Sequence, residues 1–177
     1  MYRSTALLVV VLATAAARAG DDGPAAGPFK SAAGRFEVTF PGRPTERTTT
    51  SQTALGEVEI KLTLADLKDR VYMVGYYDFP AGSVTDKNRK KVLKAAQDGS
   101  VKKVQGKVLS EREVTVGEKK LDGRESVVEH GNRKGVYSRS RILFDGDRHY
   151  ILTVLGTVEG VKGDAATKFL DSFKVTK

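Results

Sequence analysis

The chain has two histidines, His130 and His149, and no cysteine among its 177 residues. Thiol nucleophiles, disulfides and cysteine-based soft-metal sites are therefore excluded. His130 stands beside the turn residues Gly131-Asn132, and His149 takes the strand face opposite Tyr150, so the two imidazoles need not converge. A turn polar group and a packed ring account for them, because a catalytic base must sit within reach of the proton it removes. No Gly-x-Ser-x-Gly elbow, Gly-x-x-x-x-Gly-Lys phosphate loop or His-Glu-x-x-His pair occurs. Asp145-Gly146-Asp147 offers two local carboxylates where a hard cation wants about six oxygens, and turn chemistry explains it better. No catalytic residue, cofactor site or metal ligand is assigned, and the expectation is a protein that is not an enzyme.

Two other groups of residues could bind. Lys87, Arg89, Lys90, Lys91 and Lys94 form a basic run, with Lys102, Lys103 and Lys107 beyond it. Such a cluster can hold an anionic polymer or membrane surface by releasing counterions. It carries no aromatic side chain for base stacking, which argues against nucleic acid. A solvated outer face of an amphipathic helix is the competing explanation. The second group is aromatic: Tyr72, Tyr76, Tyr77 and Tyr150, with Tyr137, could line a cleft between sheet and helix, since a buried phenol needs a polar partner. Packing in the core is the alternative.

The elements that must position these groups follow from periodicity. Phe29–Ser31 reads as a short edge strand. Residues 35–40 alternate Phe36, Val38 and Phe40 against polar neighbours, as in a half-buried strand. The threonine-rich run Thr45–Thr53 fits an edge, and residues 57–66 put Val58, Ile60, Leu62 and Leu64 on one face. Residues 70–78 are apolar on both faces and should be central. Thr85 or Asp86 can cap a helix over residues 87–98, continuing past Gly99 to Lys103, with Arg89, Val92, Leu93 and Ala96 in one stripe. Four strands follow, over residues 107–116, 121–130, 134–144 and 148–156, as an antiparallel meander. Gly163 or Asp164 opens a last helix carrying Ala166, Phe169, Leu170 and Phe173, and residues 174–176 add a terminal strand. For the hairpin around Asp145-Gly146-Asp147, a three-residue loop sets Ile142 opposite Tyr150 and Ser140 opposite Leu152. One face then carries Val136, Ile142, Phe144, Tyr150, Leu152 and Val154. A two-residue loop would bring Arg139 and Arg141 beside Tyr150 and Leu152, a poorer face, because a one-residue slip moves every side chain across the sheet.

The expected fold class is α+β: one antiparallel sheet covered by helices on both faces, residues 87–98 on one and 164–173 on the other. Residues 1–19 have the form of a secretory signal, with Arg3, an apolar run from Ala6 to Ala17, and Ala17-Arg18-Ala19 for cleavage. That run is too short to span a bilayer. Residues 20–28, broken by Pro24 and Pro28, read as a flexible lead to a single domain over 29–177. Losing Arg3 and Arg18 lowers the formal charge from +8 to +6, and no cysteine follows the cleavage point to accept a lipid. The expected location is periplasmic or extracellular.

The ordered set GRFEVTFPGRP (34–44), YMVGYYDFP (72–80), DGRE (122–125), DRHYILTVLG (147–156) and FLDSFKV (169–175) resembles exported bacterial domains of the PsbP-like fold class, which includes DcrB-like lipoproteins. The resemblance covers residue 29 to the C-terminus and implies an α/β/α sandwich. It implies little about activity, because such domains are mostly accessory or binding proteins. The missing lipid-accepting cysteine, and Leu121-Asp122 where a proline would precede Gly123-Arg124, are departures from the pattern. The functional expectation is an exported, non-enzymatic accessory or binding domain with an envelope protein or small ligand as partner. The alternatives are a carrier of a small apolar or amphipathic molecule in the tyrosine cleft, an anionic-surface binder through the basic helix and, last, a hydrolase.

Overall fold

The computed structural model describes residues 28–53 and 56–177. Residues 1–19, read above as a secretory signal, and the lead as far as residue 27 lie outside them. In chain order the elements are β1 (Phe29–Ser31), β2 (Phe36–Val38), β3 (Thr45–Thr53), β4 (Gly56–Asp66), β5 (Val71–Asp78), α1 (Arg89–Lys103), β6 (Lys107–Val116), β7 (Leu121–Glu129), β8 (Tyr137–Asp145), β9 (Arg148–Gly156), α2 (Val158–Lys162), α3 (Asp164–Asp171) and β10 (Lys174–Val175). Seven strands form an antiparallel sheet in the order β3-β4-β5-β9-β8-β7-β6. As its two apolar faces demand, β5 is interior, between β4 and β9, and the threonine-rich β3 is an edge.

The expectation of one layer needs correction, because β1, β2 and β10 make a separate three-stranded sheet. Its strands are only two or three residues long, yet Phe36 and Val38 of β2 are fully buried. Phe36 stacks on Phe173 and meets Tyr150 edge-on. The Tyr150 hydroxyl donates to the Gly34 carbonyl at 2.8 Å, pinning the turn after β1 to the core. Burial of these rings, rather than ladder length, holds the small sheet in place.

The register of the β8–β9 hairpin also differs from expectation. Asp145 pairs with Arg148 across a two-residue loop, Gly146-Asp147, with Gly146 at φ +63°, where glycine is the residue without a Cβ penalty. Leu143 therefore faces Tyr150, Arg141 faces Leu152 and Arg139 faces Val154. The two arginines do share the face of Tyr150 and Leu152, and Ile142 does not. The arrangement is stable because a buried carboxylate from β7 receives both guanidinium groups.

Core residues fall into two clusters that alternate along the strands. The first holds Tyr72, Val74, Leu143, Tyr150, Leu152 and Val154 with Val161 of α2 and Phe169 and Leu170 of α3. The second holds Tyr77, Ile142 and Phe144 with Leu93 of α1 and, at its margin, Val92 and Ala96. Tyr150 and Ile142, expected on one face, belong to different clusters.

The helices show smaller differences. Asn88, not Thr85 or Asp86, is the N-cap of α1. Its Oδ1 accepts the Thr85 amide at 2.8 Å, while the Thr85 carbonyl accepts the amides of Asn88 and Arg89, so the turn before the helix is closed by the cap residue itself. The helix continues through Gly99 to Lys103. A one-turn helix, α2, precedes α3; the Thr157 hydroxyl caps it by accepting the Gly160 amide at 3.1 Å.

Candidate functional site

Beneath α1 the large sheet presents small side chains. Ser126 of β7 pairs in register with Ser140 of β8, and Ser140 pairs with Thr153 of β9, so three hydroxyl residues cross the strands in a row. They fill less space than the Ile142 and Phe144 that meet the start of α1, and the C-terminal half of the helix is left with a groove of about 350 Å³. Val71 and Met73 of β5, Ile151 and Leu155 of β9, and Val101 and Val104 of α1 supply its apolar walls. The hydroxyls are largely satisfied among themselves: Ser140 Oγ lies 3.0 Å from Thr153 Oγ1, and Ser138 Oγ lies 3.0 Å from His130 Nε2. The floor thus presents methyl and methylene surface with few free donors.

Three cationic or titratable side chains line this groove, Lys103, Arg124 and His130, and no carboxylate residue is part of the lining. Arg124 is engaged by the Gln97 side-chain oxygen and by Glu111 at 3.4 Å. Burial, with a smaller push from the Arg133 charge, holds His130 below the ordinary imidazole pKa. Lys103 Nζ donates to Ser51 Oγ at 2.8 Å, bridging from the end of α1 to β3. Sequence reasoning missed this groove. Its signal was a run of small hydroxyl residues at inward positions of three successive strands, legible only with the correct register.

The four tyrosines do not converge on a cleft, although Tyr76 and Tyr150 are cross-strand neighbours at 6.5 Å between ring centroids. Tyr72, Tyr76 and Tyr150 pack in the first cluster and Tyr77 in the second, and none of the four lines the groove. Tyr72 sits edge-on to Phe169 at 5.3 Å between centroids, and Tyr76 lies beneath the Arg148 guanidinium at 5.0 Å. Of the basic run, Arg89 pairs with Asp86 at 2.9 Å, Lys90 with Glu113 at 3.6 Å and Lys94 with Asp98 at 3.0 Å. Lys87 and Lys91 are exposed.

His149 is buried against Phe144, ring on ring at 4.6 Å between centroids, with Tyr77 edge-on at 4.9 Å. Neither ring nitrogen has a hydrogen-bond partner among the described residues, and desolvation lowers its pKa to about 3. It is a neutral packing residue of the second cluster, with no proton relay to His130. The Asp147 carboxylate accepts the amides of Gly82 and Val84 at 2.7 and 2.8 Å, and Asp145 meets Lys119 at 3.2 Å. Among the described residues no group of three or more histidine or carboxylate side chains is placed to hold a metal.

The most concentrated charge in the molecule was also missed. Glu125, 5 % exposed, stands in register between Arg112 and Arg141 and also receives Arg139. Its oxygens lie 2.7 Å from Arg141, 3.0 Å from Arg139 and 2.9 Å from Arg112. Burial pushes the carboxyl up, but hydrogen bonds from Arg141 and Arg112 and the charges of Arg141 and Arg139 outweigh it and hold it below the usual range. Arg141 also donates to the Leu170 carbonyl at 2.9 Å and meets Asp171 at 3.0 Å, and Arg139 donates to Thr167 at 2.8 Å. This network fastens α3 to the sheet. Each guanidinium is already matched to protein acceptors, so it serves as a structural tie.

No family model and no curated protein matches this chain. Among solved structures, the solution structure of cyanobacterial PsbP (CyanoP) from Synechocystis sp. PCC 6803 aligns with a TM-score of 0.58 at 12% identity, over 90% of this chain and 98% of that one. A crystal structure from Bacteroides thetaiotaomicron VPI-5482 aligns at 14% identity and a TM-score of 0.46, over 85% of this chain and 48% of that one, and carries no argument. The chain therefore has a PsbP-like fold, dominated by antiparallel sheet, and at this identity the likeness speaks for the fold alone.

Proposed function

We propose that this chain is an exported, non-catalytic accessory domain that acts by binding, and that its binding site is the groove beneath α1. The supporting observation is the groove itself: a concavity of about 350 Å³ with apolar walls, at the small end of the range typical of ligand sites. Ser140 is paired with Thr153 and His130 with Ser138, which favours an apolar or amphipathic guest over a sugar or nucleotide needing many hydrogen bonds. The ligand is a small amphiphile, held on the α1 side of the sheet and not against the tyrosines. Export rests on the signal-like order of residues 1–19. No helix among the described residues is long and apolar enough to cross a membrane.

The sandwich arrangement supports this reading. That α1 shares the cluster of Ile142 and Phe144, while α2 and α3 share that of Leu143, supports reading the domain as a sheet with a helix layer on each face. Distance restraints linking Leu93 and Leu170 to the same strand positions would overturn that layering.

Titration of the full chain with decanol, followed by NMR, tests the site. Shifts should concentrate at Val71, Met73, Val101, Val104, Ile151 and Leu155, and Ser140→Leu should abolish them by filling the floor. Shifts confined to Tyr72, Tyr76 and Tyr150, or unaffected by Ser140→Leu, would sink the proposal.

A further inference from the structure

The cationic lining of the groove narrows the ligand class, an inference that rests on the groove being the binding site. The three candidate charges differ in what already holds them. Arg124 has Gln97 and Glu111. His130 is paired with Ser138 and, with its pKa lowered by burial, is neutral near pH 7. Lys103 reaches only the uncharged hydroxyl of Ser51, with no carboxylate within ion-pair distance among the described residues. An ammonium at the edge of an apolar groove, held by a neutral partner, is electrostatically complementary to one anionic group on an otherwise apolar molecule.

The helix end raises one objection, since α-helix C-termini repel anions. Here the terminal carbonyls are occupied. Val101 O accepts the Gly106 amide at 2.9 Å, Lys102 O accepts that of Gln105 at 3.1 Å, and Val104 O accepts that of Gly131 at 3.1 Å. Lys102 and Lys103 in the last turn offset what remains of the dipole.

We propose that the groove takes a medium-chain aliphatic carboxylate, its carboxylate replacing Ser51 as the partner of Lys103 and its chain lying on Val71, Met73, Ile151 and Leu155 beneath Val101 and Val104. The anion supplies the charge the lining lacks, and the alkyl chain fills the apolar space. Lys103 is exposed and its side chain holds Ser51, a bond that the amide of a glutamine can also donate, so Lys103→Gln should leave the fold intact.

Calorimetric titration of the full chain with decanoate, decanol and decyltrimethylammonium, each below its aggregation threshold, tests this. Decanoate should bind about threefold to tenfold more tightly than decanol, the range of a partly solvated ion pair. The cationic amphiphile should bind worst. Lys103→Gln should erase the preference for decanoate, and Lys94→Gln, whose lysine is already held by Asp98, should keep it. Equal affinities for decanoate and decanol would overturn the carboxylate assignment and leave the groove as a neutral site, and a preference that survives Lys103→Gln would overturn the assignment of Lys103 as its partner. Failure of all three probes to bind would overturn the assignment and the groove reading together.

Discussion

Two side chains show how burial sets the chemistry a residue is allowed. His149 is folded as a neutral ring, with a pKa of about 3 against an ordinary 6.5. Protons bind the unfolded chain first as pH falls, so its contribution to stability is complete above pH 6.5 and is lost progressively toward pH 3. Urea unfolding should show a loss of about 2 kcal/mol between pH 7 and 5 from this residue, above the range where carboxylates titrate. His130, also lowered, adds in the same direction. In His149→Phe the slope over that interval should flatten to the share of His130; an unchanged slope would mean that the ring is hydrated. Glu125 is the opposite case, a charge kept ionised by three arginines. Glu125→Gln leaves the buried Arg139 and Arg141 without their counter-charge and should cost about 3–5 kcal/mol in chemical denaturation. A cost below about 1 kcal/mol would show that the α3 tie is not electrostatic.

At the scale of elements, α1 is the informative piece. It is amphipathic only in part, since Leu93 and Gln97 are buried while most of its other positions face solvent. Gly99 lies within it, and a Cβ there would meet nothing within 4 Å. Gly99→Ala should therefore stabilise the protein by roughly 0.5–1 kcal/mol, removing backbone entropy from the unfolded chain without a steric cost. The expected readout is a Tm higher by about 2 °C. A lower Tm would place the helix end near Asp98. The β8–β9 hairpin teaches a different lesson. Its strands were legible from β-branched and aromatic residues, and its register was not. Hydrophobic matching favoured the loop that keeps the arginines off the apolar face, but the folded chain buries them there, because Glu125 on the neighbouring strand lies in register with Arg141. A partner that far away in sequence is invisible to a hairpin considered alone.

Across the whole molecule, strand position sets local stability. β5 and β9 are flanked on both sides and carry Tyr72, Val74, Tyr150, Leu152 and Val154, all at most 1 % exposed, whereas β3 and β6 are edges. Amide exchange should be slowest in β5 and β9 and fastest in β3 and β6. Slow exchange throughout β6, whose ladder slips between Val108 and Ser110 and whose Val108 and Leu109 are exposed, would point to a partner strand on that edge.

Local pattern by itself determined where most strands run, that β5 is interior and β3 an edge, and that α1 passes through Gly99. Period-two and helical spacing are properties of neighbouring residues, and the chain states them directly. Only the tertiary structure decided that Phe36 and Val38 belong to a second sheet, that Arg139 and Arg141 point inward to Glu125, and that Ser126, Ser140 and Thr153 leave room under α1. These features depend on which strands lie side by side and in what register. That choice is made by the summed burial and charge pairing of the assembled layers, which no single stretch of sequence contains.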